Sequence, residues 1–178
     1  MKLLLHICCA NCALYPVQRL RSLGIDLTGL WYNPNIHPYQ EYSLRLQSLK
    51  RLSEEWRFPV IYNDIYNLEL FLKTVIETPQ VPQRCSYCYR LRLEETARIA
   101  RQNGFDAFGS SLIVSPYQRF ELIAETGREL AQKYNIEFFM EDMRSHYREA
   151  MRLSRDMGLY RQKYCGCIFS EAERFMKT

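Results

Sequence analysis

No apolar run in this 178-residue chain approaches the roughly 20 residues needed to cross a bilayer. The apolar stretch after Met1 is far too short, and no signal-peptide cleavage pattern follows it. The expectation is a cytoplasmic protein with no membrane partner. Internal repeats, low-complexity tracts and linkers are also missing, which predicts one domain over 1–178 with a substantial core. No glycine-rich turn follows the first apolar run, and this excludes a dinucleotide-type phosphate loop there. Cysteine is missing from most of the chain: all seven lie in three short clusters. An odd count argues against complete structural pairing. In a cytoplasmic chain, clustered thiols indicate metal binding or redox catalysis rather than a disulfide framework.

Charge is modest at +4, but arginines far outnumber lysines. Arginine's planar fork suits phosphates and base edges, so the bias permits a nucleic-acid partner. It is equally compatible with an ordinary solvated surface.

The chain begins with Lys2-Leu3-Leu4-Leu5, a short run suited to a buried strand, and empties into His6-Ile7-Cys8-Cys9-Ala10-Asn11-Cys12. Helical periodicity and a glycine stop place a helix over Leu14–Leu23. A strand over Asp26–Tyr32 runs into the proline loop Asn33–Pro38, and an amphipathic helix covers Tyr42–Trp56. Further along come a strand at Phe58–Tyr62, helices at Asn67–Glu77 and Cys85–Gln102, and a strand at Asp106–Val114. A helix with Phe120, Ile123, Leu130 and Tyr134 on one face precedes a last strand, Glu137–Met140. A helix over Tyr147–Met157 and a short closing helix capped by Ser170 complete the chain. Strands alternate with helices throughout, which predicts an α/β fold: a mainly parallel sheet covered by helices on both faces. The first cysteines would then sit at the carboxyl end of a central strand, where such sheets place their binding crevice.

Adjacent cysteines make a poor structural disulfide because their ring is awkward. A soft metal site or a catalytic thiol explains Cys8-Cys9 better. Cys85-Ser86-Tyr87-Cys88 sets two thiols three residues apart at a helix start, where both can face one ligand. Four thiolates suit an iron–sulfur cluster or a structural zinc ion, and a lone CxxC also suits thiol exchange. Cys12 and Cys165-Gly166-Cys167 exceed the first four. The last pair can form a strained, easily reduced disulfide or hold a second metal. His6 and His37 fit structural, hydrogen-bonded roles better than ligation. Asp142 beside Arg144 fits an ion pair, an oxygen ligand for a second metal, or a proton donor. Tyr160, Arg161, Lys163 and Tyr164 interleave cations with aromatics, a pattern able to stack bases and grip phosphates.

Five segments together resemble the cobalamin-independent epoxyqueuosine reductases. They are the His6–Cys12 run, Tyr32–Pro38, Arg84–Tyr89, Ser115–Gln118 and Gly158–Cys167. Asn11 departs from that family, which usually has proline in its CCAPC turn; no ligand is lost. The resemblance implies an oxidoreductase that removes the epoxide oxygen of epoxyqueuosine at the tRNA wobble position, giving queuosine. It implies a [4Fe–4S] cluster on Cys8, Cys9, Cys85 and Cys88, and a redox-active pair at Cys165 and Cys167. A second mononuclear iron is implied too, with Cys12 and Asp142 as candidate ligands. An external electron donor is needed, and Asp142 or a nearby tyrosine would give protons. The implied fold is Rossmann-like and related to the nucleotide α-hydrolases. Two alternatives of other kinds are a tRNA thiolation (sulfur-transfer) enzyme and a zinc-stabilised RNA-binding module. The first lacks an ATP-binding signature after the opening strand.

Overall fold

Leu3, Leu4 and Leu5 have essentially no exposed surface, because β1 (Lys2–His6) is the central strand of a five-stranded sheet. The computed structural model describes residues 1–176; Lys177 and Thr178, which the predicted domain includes, lie outside them. β2 (Asp26–Trp31) and β4 (Ala107–Ser110) flank β1, while β3 (Val60–Tyr62) and β5 (Glu137–Phe138) form the edges. Every pairing is parallel, in the order β3-β2-β1-β4-β5. The predicted strands at 106–114 and 137–140 are shorter here. Ser111–Val114 instead coils into a 3-10 turn, with the Ser110 hydroxyl accepting from the Leu112 N–H at 3.2 Å.

Alternate residues of β1 face opposite layers, as a two-sided sheet requires. Leu3, Leu5 and Ile7 pack with α1 (Ala10–Ser22) and α2 (Tyr39–Trp56), joined by Ala150 of α6 (Tyr147–Asp156). Leu4 faces the other layer, where α4 (Gln83–Gln102) brings Leu93 and Ala97 and α5 (Phe120–Tyr134) brings Ile123 and Leu130. α3 (Leu68–Val75) and α7 (Ile168–Phe175) are short covers near the cysteines. Glycine stops occur where periodicity predicted them: Gly24, Gly104 and Gly158 all have φ between +61° and +71°. The helix predicted from Leu14 begins at Ala10, with Cys9 as its N-cap, so Cys12 rides on the helix. The closing helix is N-capped by Cys167, and Ser170 instead returns its hydroxyl to the Cys167 carbonyl at 2.8 Å.

The chain passes from β1 to β2 on one side and reaches β4 on the other, so the strand order reverses at β1. The crevice of such a sheet opens beyond the carboxyl ends of the strands flanking that reversal. Cys8 follows β1 and Ser111 follows β4, both at this point.

Candidate metal centre

Three thiols meet where β1 ends. Cys8, Cys9 and Cys12 are buried and their sulfur atoms all lie within 4.8 Å of one another. The Cys8 and Cys9 sulfurs are 3.7 Å apart. Helix geometry explains the third: starting α1 at Ala10 turns Cys12 back toward the Cys8-Cys9 step. The Ser111 hydroxyl accepts from the Cys8 N–H at 3.3 Å, which fastens this turn to β4. Hydrogen bonds from Cys12 and Cys9, helped by the Arg92 charge, hold the Cys8 thiol well below its usual range. Burial pushes Cys9 up to about 12, and the bond to Cys8 raises Cys12.

The other four cysteines form a second group. Cys85, Cys88, Cys165 and Cys167 line a cavity of about 30 Å³, together with Asn35, Arg84 and Arg92. Burial raises the thiol pKa of Cys85 and of Cys167, and lifts that of Cys88 to about 12. All seven cysteines are free, so the disulfide expected as one state of Cys165 and Cys167 is not formed here. Gly166 between them has φ +116°, and a Cβ there would sit 3.0 Å from Ile36 and 3.1 Å from Arg45.

Arg92 links the two groups. It is buried, its guanidinium donates to the Cys88 sulfur at 3.0 Å, and its charge also reaches Cys8. Arg45 is buried as well, paired with Glu41 and donating to the carbonyls of Tyr164 and Cys165. Buried cations need nearby negative charge. Clustered soft sulfur donors beside two buried guanidiniums fit an anionic metal–thiolate assembly.

The structure places the remaining predicted residues as follows. His6 is structural: its ring nitrogens lie 2.9 Å from the Ser110 hydroxyl and 3.1 Å from Asn33 Oδ1, and burial lowers its pKa to about 4. His37 is also fully buried, against Tyr66 and Phe71, and burial lowers its pKa to about 4, but unlike His6 neither of its ring nitrogens has a hydrogen-bond partner among the described residues, so the hydrogen-bonded role expected for it is not seen. Asp142 is outside both cavities. Its carboxylate takes two bonds from the Arg144 guanidinium, at 2.8 and 2.6 Å, and that pairing keeps it ionised. An ionised, paired carboxylate on the surface does not suit a proton donor. Tyr160 and Tyr164 are half-buried and direct their hydroxyls to Glu41 and the His37 carbonyl. Arg161 and Lys163 remain exposed.

Asn11 has a larger part than its place in the turn suggested. Its amide donates to the Tyr160 carbonyl at 3.0 Å and to Gln162 Oε1 at 2.7 Å, and accepts from the Ser154 hydroxyl at 2.5 Å. Gln162 in turn donates to the Cys9 sulfur at 2.9 Å. Asn11 thus ties the cysteine turn to α6 and to the segment leading into Cys165. Asn11→Ala is expected to cost about 2 kcal/mol, because it strands the buried Ser154 hydroxyl and frees Gln162. A thermal melt should register a fall of roughly 5 °C; an unchanged melt would show that this network adds nothing to stability.

A larger cavity of about 870 Å³ opens above the first thiol group. Cys8 and Cys12 form its floor, and Tyr117, Tyr147 and the 161–165 segment form its walls. Arg148, Arg155, Arg161, Lys163 and Arg174 also line it, all exposed and none in an ion pair among the described residues. Some arginines elsewhere are paired, as in Arg51–Glu55, Arg90–Glu129 and Arg98–Glu95.

The comparisons with known proteins agree with this layout. A predicted tRNA methyltransferase subunit from Methanocaldococcus jannaschii superposes with a TM-score of 0.60 at 16% identity, covering 87% of this chain and 74% of that one. The U34-tRNA thiolase NcsA from Methanococcus maripaludis, solved with its [4Fe-4S] cluster, gives 0.62 at 14% identity, covering 96% of this chain and 61% of that one. These likenesses show the fold, a Rossmann-like parallel α/β sheet. In sequence, the chain is 38% identical over 176 residues to the epoxyqueuosine reductase QueH of Dehalococcoides mccartyi, covering 99% of this chain and 96% of that one. It is 33% identical over 178 residues to the enzyme of the same name from Thermotoga maritima, covering 96% and 91%. The model of the family described as epoxyqueuosine reductase QueH matches residues 3–173, from β1 into α7, so all seven cysteines fall within the match, and the chain belongs to that family.

Proposed function

We propose that this protein reduces epoxyqueuosine in tRNA to queuosine, working as a cytoplasmic single-domain enzyme over residues 1–178. The observation that carries this reading is the sheltered thiol group at the floor of a cavity ringed by unpaired cations. A polyanionic substrate fits the rim, and redox chemistry fits the floor. No helix among the described residues is long and apolar enough to cross a membrane.

Cys8, Cys9, Cys85 and Cys88 would hold a [4Fe–4S] cluster, with Arg92 balancing its charge beside Cys88. Such a cluster supplies electrons singly at low potential. Cys12 is the thiol left over and faces the large cavity; we assign it to a second mononuclear iron, since Asp142 is engaged by Arg144. Removing the epoxide oxygen as water takes two electrons and two protons. Oxidation of Cys165 and Cys167 to a disulfide releases two of each, so one turnover balances against one CxC oxidation, and an external donor then restores the dithiol. Tyr147 lines the cavity and keeps the proton on its phenol, its pKa pushed up to about 12 by burial, so it can donate a hydrogen bond to the leaving oxygen while the two protons come from the dithiol.

The reading is tested by anaerobic incubation with epoxyqueuosine-containing tRNA and a low-potential reductant, followed by mass spectrometry of the digested nucleosides. Queuosine should appear; its absence with a fully loaded cluster would overturn the assignment. A brown protein absorbing near about 400 nm favours the cluster, whereas a colourless one favours zinc. Binding to tRNA should weaken as salt rises, by release of counterions from phosphate. Replacing Arg161 and Lys163 with alanine should flatten that dependence by about two in slope, as filter binding across a salt series would show. A slope unchanged by the double replacement would remove these residues from the tRNA contact.

A further inference from the structure

Tyr117 has no structural task that accounts for its position. At 81% exposed it is the most exposed of the large hydrophobic side chains among the described residues. Burying an aromatic ring is favourable, and a stable surface has no need of one standing in water. The backbone beneath it is nonetheless well fixed. The Tyr89 hydroxyl accepts from the Arg119 N–H at 3.1 Å and donates to Gln118 Oε1 at 2.9 Å. The Gln118 N–H bonds the Ser115 carbonyl at 3.1 Å, and the Ser115 hydroxyl accepts from the Tyr117 N–H at 3.3 Å. Pro116 stiffens the step before it. A rigid loop therefore presents a bare ring.

That ring stands at the mouth of the large cavity. Its only aromatic neighbour among the described residues is Tyr147, in an edge contact with centroids 5.7 Å apart, which leaves a face of Tyr117 open. Other exposed aromatics are differently placed: Tyr39 packs on Tyr42 and Tyr66, and Phe175 on Tyr164. The same cavity is lined by Arg148, Arg161 and Lys163, which make no ion pair among the described residues. Cations able to follow a phosphate backbone, beside an aromatic face, form the arrangement that holds a single-stranded nucleic acid by charge and stacking.

We infer that Tyr117 is a stacking platform for the unpaired base flanking the reacting nucleotide in the tRNA anticodon loop, positioning that nucleotide over the thiol floor. The inference rests on the tRNA reading above. A base drawn out of its loop stack loses one neighbour, and an aromatic face can replace it. Tyr117 is a positioning residue and takes no part in the redox step.

The test uses the full chain and an anticodon stem-loop RNA carrying 2-aminopurine at either flanking position in turn. Stacking on an aromatic ring quenches this base's fluorescence. The parent protein should quench it at one of the two positions. Tyr117→Leu should abolish the quenching and weaken binding about 10-fold, from the usual worth of one base–aromatic stack. Tyr117→Phe should preserve both. Tyr117→Trp supplies an independent signal, since its own emission should fall as RNA is added. Salt-sensitive binding by the parent with no quenching at either position, or with Tyr117→Leu binding as tightly, would overturn the platform and leave the tRNA reading intact. Failure of the parent to bind the RNA at all would overturn both.

Discussion

Single replacement of Cys8, Cys9, Cys85 or Cys88 by serine should strip most iron and sulfide from anaerobically prepared protein. Turnover should fall by more than roughly 100-fold, since even outer-sphere partners of metal ligands are worth 10–100-fold. Losing one of four thiolates opens an iron to solvent. For Cys88 there is a second penalty: buried Arg92 loses its sulfur partner and is left with the Cys88 carbonyl, 3.1 Å from its Nε. The geometry makes the experiment decisive, because the thiols fall into two groups. Cys8, Cys9 and Cys12 are already together, whereas Cys85 and Cys88 share their cavity with Cys165 and Cys167. Cys12→Ser should therefore keep the cluster's sulfide and lose about one iron. If Cys12→Ser emptied the site while Cys85→Ser and Cys88→Ser stayed loaded, the cluster would belong to the first group. Iron and acid-labile sulfide assays separate the two outcomes without any activity measurement.

The Cys165→Ser/Cys167→Ser double variant should lose turnover by a comparable factor and yet remain folded. A bridge across one residue closes a very small ring, so it constrains the unfolded chain little and contributes little stability. What holds this segment is the surrounding network: Arg45 grips the Tyr164 and Cys165 carbonyls, the His37 N–H donates to the Gly166 carbonyl at 2.8 Å, and Tyr164 bonds the His37 carbonyl at 2.6 Å. None of these contacts involves a cysteine sulfur. The melting temperature should stay within about 2 °C of the parent, with iron and sulfide content unchanged. Unimpaired conversion of epoxyqueuosine would remove the pair from the reaction, and global unfolding would make it structural.

The tail illustrates how far sequence reasoning reaches. Tyr160-Arg161-Gln162-Lys163-Tyr164 alternates types along an irregular segment, and local pattern cannot say which side chains turn inward. Packing against α2 decided it: Glu41 and Arg45, one helical turn apart, offer a buried carboxylate and guanidinium that draw in Tyr160 and the 164–165 carbonyls. For Asp142 the ion pair with Arg144 was one of three readings open in the sequence, and the structure selects it. Arg92 was closer to legible. It follows Cys88 by four residues on a helix, the spacing that places two side chains on one face.

The amino-acid sequence by itself determined the alternation of parallel strands and helices, their glycine stops, and the delivery of every cysteine cluster to a turn or helix end at one edge of the sheet. Those features follow from periodicity and backbone preference, which act over a few neighbouring residues. Only the tertiary structure decided the rest: that α1 starts early enough to bring Cys12 onto Cys8 and Cys9, that Arg92 and Arg45 are buried among the thiols, and that Tyr117 stands bare at the cavity while Tyr160 and Tyr164 are half-buried. Each depends on contacts between segments far apart in the chain. Burial, charge balance and hydrogen-bond satisfaction at such contacts are set by which backbones converge, and no local pattern encodes that.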